Sequence, residues 1–168
     1  DYMKKYPERF YDDITIGSVY GTFPTSLWNG GRYFEGTVDK RIISEVLKQF
    51  NQRGIPCRFT FTNPLLTEEH LSDPFCNYVM KTANNGLNEV IVASDLLEDY
   101  IRKPYPRYKI TSSTCKQIED YEKLCTELDK PYSLVVLDYN WNNNFEFLEK
   151  MPQKEKIEIL INACCMPN

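Results

Sequence analysis

The chain has 168 residues, of which 42% are hydrophobic and 26% charged, and its formal net charge is −4. That is long enough for one domain with a real core, too apolar for a disordered chain, and without the basic excess that drives non-specific binding to nucleic acid. No apolar run exceeds strand length, and the opening Asp1-Tyr2-Met3-Lys4-Lys5-Tyr6 lacks a signal-peptide core, so the expectation is a cytoplasmic protein with no membrane segment.

Residues 1–13 are charged and aromatic and read as an N-terminal arm; residues 14–168 read as one domain. Ile14 to Phe23 is the first expected strand. Val38 to Arg53 is a helix, with Ile42, Ile43, Val46, Leu47 and Phe50 at helical spacing and Gly54 as its stop. Cys57 to Thr62 is strand two. Asp73 reads as a helix N-cap with Pro74 at the first helical position, and that helix ends near Asn85-Gly86. Glu89 to Ser94 is strand three, Leu96 to Arg102 a short helix, and Tyr108 to Thr114 strand four. A helix over Gln117 to Leu128 leads to strand five, Ser133 to Tyr139. Phe145 to Lys150 is a short helix and Ile157 to Ala163 strand six.

Strict alternation of strand and helix argues for parallel pairing, because each crossover needs a helix to return the chain. There is no GxGxxG and no GxxxxGK[ST], so the two common nucleotide-binding loops are missing. Strand two places Arg58, Thr60 and Thr62 on one face and Phe59 and Phe61 on the other. Strand six opposes Glu158 and Asn162 to three isoleucines. One polar face per strand suits a barrel, whose helices cover the outside only, better than an open sheet covered on both faces. The expected fold class is α/β: a partial (β/α) TIM-type barrel of about six parallel strands with outer helices, a fragment of the usual eight-unit barrel. Parity carries a further expectation. Arg58, Glu89 and Glu158 turn inward near the bottom of the barrel, and a buried charge needs a partner, so Arg58 pairs with Glu89, Glu158 or both. The upper members of the same inward rows, Thr62, Asp95, Asn162 and Cys164, then face the ligand site. The unpaired edges of such an arc call for a second copy of the chain or a missing C-terminal segment to complete it.

Reactive groups of a parallel barrel gather at the carboxyl ends of its strands. Here those ends hold Trp28, Asn29 and Arg32; Thr62 and Asn63; Ser94 and Asp95; Ser112, Ser113 and Cys115; Asp138 and Asn140; and Asn162, Cys164 and Cys165. Asp95 and Asp138 are candidate acids or bases. Trp28, Arg32, Thr62, Asn63, Ser113, Asn140 and Asn162 are candidate ligand contacts. Each of them has an ordinary alternative as a helix cap or turn residue, and their number on one rim says more than any one of them. His70, the sole histidine, lies in a surface turn without a nucleophile motif around it. The six cysteines form no CxxC pair and read as mostly free thiols in a reducing compartment. Cys115, Cys164 and Cys165 reach the rim and are either metal ligands or buried structural thiols.

Three segments, Asn88 to Asp95, Tyr108 to Thr114 and Ile157 to Cys165, resemble the collagenase-like peptidase family of class U, whose mechanism is unassigned. The resemblance covers the second half of the chain. It implies a TIM-type barrel and either proteolysis or iron–sulfur chemistry of the kind used in RNA-base or quinone hydroxylation. It also implies that Cys164 and Cys165 begin a cysteine segment, so an iron–sulfur cluster would require further cysteines. The expected function is therefore a redox or hydrolytic enzyme with a polar site on the strand-end rim. The alternative is a non-catalytic barrel module that binds a polar ligand or a protein partner.

Overall fold

The computed structural model describes residues 2–31 and 36–161. Six strands form one sheet: β1 (Val19–Gly21), β2 (Cys57–Phe61), β3 (Glu89–Val92), β4 (Lys109–Ser112), β5 (Leu134–Val136) and β6 (Ile157–Glu158), in the order β1-β2-β3-β4-β5-β6. Every neighbouring pair is parallel. The helices are α1 (Tyr2–Lys5), α2 (Lys40–Asn51), α3 (Glu68–Leu71), α4 (Pro74–Thr82), α5 (Asp95–Arg102), α6 (Tyr121–Asp129) and α7 (Phe145–Lys150).

Local chemistry explains most boundaries. Asp39 caps α2 by accepting from the Arg41 amide, and Gly54, at φ +71°, sits in the left-handed turn that follows the helix. Asp73 caps α4 with Pro74 behind it. The sequence expectation differs from the structure in four places. Of the described part of strand six, expected over Ile157 to Ala163, only Ile157–Glu158 is in the sheet, and Ile159 and Ile161 are 40% and 91% exposed where alternation put them opposite the polar row. The strand expected from Ile14 is ordered only over Val19–Gly21; Ile14 and Ile16 are 46% and 49% exposed, so they have no packing surface to hold them in the sheet. The helix expected over Gln117 to Leu128 is broken. A 3₁₀ turn, Thr114–Lys116, ends at Gln117 with φ 51°, and α6 starts afresh at Tyr121 with Asp120 as its cap. Helix α3 was not expected. It is held by a capping box in which His70 Nδ1 accepts from the Thr67 amide at 3.0 Å.

Alternation sets the two faces. Phe59, Phe61, Val90 and Val92 go under the helices, where they meet Leu47 of α2, Met80 of α4 and Leu97 of α5 in one core. Phe61 is 1% exposed and stands edge-on to Trp28 with ring centroids 5.2 Å apart. Burial of one such ring contributes about 1.5–3 kcal/mol. The opposite face carries Arg58, in register with Glu89. Arg58 Nε donates to Glu89 Oε2 at 3.0 Å, and its Nη1 donates to Glu158 Oε2 at 2.7 Å. Four strand positions separate β2 from β6 in the sheet, so one side chain joins them only if the sheet curls. The ion triad is direct proof of a curled half-barrel with Arg58 and the two carboxylates on its inner face.

The bottom of the barrel is tied by a second polar cluster. Asn88, 1% exposed, accepts from the Cys57 amide at 2.9 Å and donates to Asn51 Oδ1 at 3.0 Å and to the Ala83 carbonyl at 3.0 Å. One amide thereby fixes the end of α2, the loop after α4 and the start of β2.

Candidate functional site on the strand-end rim

The carboxyl ends of β3 and β4 lie side by side, and each runs straight into a capped turn. Ser94 accepts from the Leu97 amide and starts α5, which makes Asp95 its first residue. Ser113 accepts from the Cys115 amide and starts the 3₁₀ turn that carries Cys115 and Lys116. Between these turns and α6 is an open cleft of about 590 Å³, lined among others by Pro64, Asp95, Cys115, Lys116, Lys123 and Lys130.

An ion network forms the back of the cleft. Lys116 Nζ lies 2.7 Å from Asp95 Oδ1, 2.7 Å from Glu127 Oε1 and 3.0 Å from the Tyr132 hydroxyl. Lys130 Nζ lies 2.9 Å from Glu127 Oε2 and 3.5 Å from Asp95 Oδ1. Ser112 donates to the same Glu127 carboxylate at 2.6 Å. The hydrogen bond from Lys116, aided by the charge of both lysines, holds the Asp95 carboxyl below its ordinary value. Burial pushes Glu127 upward, but the bonds from Lys116, Ser112 and Lys130 outweigh it and leave its carboxyl low as well. Both carboxylates are therefore ionised at neutral pH, suited to pairing with cations and poorly suited to proton transfer there. Burial and the adjacent carboxylates push the Tyr132 phenol far above its ordinary range, so it stays protonated: its oxygen accepts from Lys116 while its hydrogen is donated to Glu98.

The residues expected at the site divide. Asp95 and Cys115 share the cleft, and Ser113, 4% exposed, supports the turn beneath it. Asp95 does not continue the inward row of β3 as strand parity implied. The strand stops at Val92, so alternation no longer governs a residue that has entered a helix, and its carboxylate meets Lys116 and Lys130. Trp28 is a core residue and offers a ligand no surface: it is 0% exposed and donates from Nε1 to the His70 carbonyl at 2.8 Å. Asn63 is engaged in its own loop, donating to the Leu27 carbonyl and accepting from the Leu65 amide. Thr62 is 6% exposed at the end of its strand. Asp138, 5% exposed, caps the turn that follows β5 by accepting from the Asn140 amide at 2.9 Å, and Asn140 donates to Glu119. Arg32, Asn162, Cys164 and Cys165 lie outside the described residues. Among the described residues no three histidines, cysteines or acids converge as a metal site. No described helix is long and apolar enough to cross a membrane.

Lys116, Glu127 and Lys130 escaped the sequence reading. Glu127 had a visible signal: it falls between Leu124 and Leu128 on the stripe that α6 buries, where a lone carboxylate demands a partner.

No family model and no curated protein matches this sequence. Among solved structures, a U32 peptidase superposes with a TM-score of 0.58 over 89% of this chain and 70% of its own, at 13% identity. That likeness is one of fold, and it agrees with the collagenase-like resemblance of the second half of the sequence. The chain is thus a partial (β/α) barrel similar in fold to a U32 peptidase.

Proposed function

We propose that this chain is a peptidase-like barrel module that binds a polar peptide segment in the cleft between the β3 and β4 turns. The observation that carries the reading is the cleft itself. It lies at the carboxyl ends of parallel strands, where barrels of this kind place their ligands, and it presents the exposed Asp95 carboxylate beside Lys123 and Lys130. Side by side, the two signs of charge match the alternating charges and amides of a peptide. The solved structure with this fold is named a peptidase, which makes peptide the first ligand class to test. Asp95 and Lys123 are the proposed contacts, and Lys116 and Glu127 hold the wall behind them.

A second reading, hydrolytic or redox chemistry at the same rim, is favoured by one observation: the exposed Cys115 thiol opens into this cleft. In that reading Cys115 is the reacting group, Asp95 pairs with a cationic group of the substrate, and Asp138 braces the neighbouring turn. The edge strands β1 and β6 are in this proposal paired by further strands from a second copy or from the same protein. Incubation with a library of end-blocked hexapeptides, read by mass spectrometry, separates the readings. Retention of intact peptides, lost in Asp95→Ala and Lys123→Ala, supports the binding module. Cleavage that is lost in Cys115→Ser supports the enzyme. Neither retention nor cleavage would overturn both.

A further inference from the structure

We propose that Lys116 is a latch: its side chain fixes the β4 turn, Ser113 to Gln117, against α5 and α6, and thereby sets the shape of the rim cleft. An ammonium group has three hydrogens, and here three acceptors meet it, from α5 (Asp95), from α6 (Glu127) and from the residue leading into β5 (Tyr132). The Lys116 side chain is 10% exposed, although it springs from an external turn. Within the turn the Lys116 and Gln117 amides donate to the Ser113 and Thr114 carbonyls and the Cys115 amide donates to Ser113 Oγ, bonds that shape the turn without docking it. Its backbone meets the rest of the barrel at the start, where the Ser113 amide donates to the Val92 carbonyl at 2.9 Å, and beyond it, where Trp141 Nε1 donates to the Ile118 carbonyl at 3.0 Å. Between these points the chain passes through Gln117 in the left-handed region, at φ 51°, a conformation that a non-glycine residue keeps only when its surroundings impose it. The partners differ in firmness. Glu127 is 5% exposed and is also held by Ser112 and Lys130, so it is the fixed anchor. Asp95 has a side chain 68% exposed and is the yielding one.

The latch acts in the free chain, so its test needs no ligand. Amide hydrogen exchange is followed by peptide mapping in the wild type, Lys116→Met and Asp95→Asn, with β3 as internal reference. Lys116→Met is expected to speed exchange at residues 114–118 by about tenfold while β3 is unchanged, the mark of a local opening. Asp95→Asn, which removes the charge of the yielding partner and keeps an acceptor oxygen, is expected to speed it by about threefold. If Lys116→Met does not fold, the Asp95→Asn result alone decides. Unchanged exchange would overturn the latch, and so would acceleration spread equally over β3, which would mark Lys116 as general structural support.

Discussion

The Arg58 triad offers the sharpest test of the fold. Replacing Arg58 with Met keeps most of the aliphatic stem and removes both ion pairs. What remains is a Glu89 carboxylate whose side chain is 11% exposed, with its charge no longer matched by the guanidinium at 3.0 Å. Breaking a buried pair from one side costs about 3–5 kcal/mol. For a chain of this size each kcal/mol moves the melting temperature by about 2–4 °C, so the expected drop is about 6–20 °C. The two carboxylates should respond unequally. Glu158 is 34% exposed, so solvent screens it, and Glu158→Gln should cost no more than about 1 kcal/mol. Glu89→Leu added to Arg58→Met should recover most of the loss, since an apolar pair leaves no charge stranded. Urea and thermal denaturation of the single and double variants give the coupling energy. Arg58→Met melting with the wild type, or a double variant no better than the single one, would show that the pair does not bridge the inner face.

Three other outcomes follow from the geometry. Gly30 packs so closely on the end of β2 that a Cβ would lie 2.3 Å from the Thr62 carbonyl oxygen, so Gly30→Ala should destabilise by about 1–3 kcal/mol, read by urea denaturation, whereas Gly17→Ala, with open space around it, should not. Among the described cysteines, Cys115 should react first with a thiol reagent and Cys76 last, because burial pushes the Cys76 thiol up to about 12; peptide mapping that finds Cys76 labelled before Cys115 contradicts this. The low carboxyl pKa values of Asp95 and Glu127 make the unfolded chain the stronger proton binder in acid, so their contribution is complete above the ordinary carboxylate range of about 4 and is lost as pH falls through their folded values. Thermal melts from acid to neutral pH should therefore steepen less in Lys116→Met than in the wild type, and parallel curves would contradict the ion network.

The sheet was legible because its cause is local. Alternation in Arg58-Phe59-Thr60-Phe61 and the repeated strand–helix rhythm set both the parallel order and the inward row, and an unmatched arginine on that row pointed to its carboxylates. The site was less legible because its contacts are made between elements. Lys116 meets Asp95 across 21 residues and Glu127 across 11, and no pattern in either segment announces the other. Parity misplaced Asp95 for a simple reason: it was extended past the last residue of the strand. Trp28 looked like a rim aromatic because it follows β1, but the turn folds back over α3 and draws the ring into the core. Glycine decides that path, since Gly30 lets the loop touch the backbone of Thr62 and Asn63.

The proposed binding of a polar peptide between the β3 and β4 turns is tested most directly by chemical-shift mapping of the isotopically labelled chain, titrated with a pool of hexapeptides carrying both acidic and basic side chains. Shifts are expected to be confined to residues 93–95, 115–118 and 123–130, to saturate with peptide and to be abolished in Asp95→Ala. Shifts centred instead on the apolar groove beside β1 and α2, lined by Phe23, Val46 and Phe50, or no shifts at all, would contradict it.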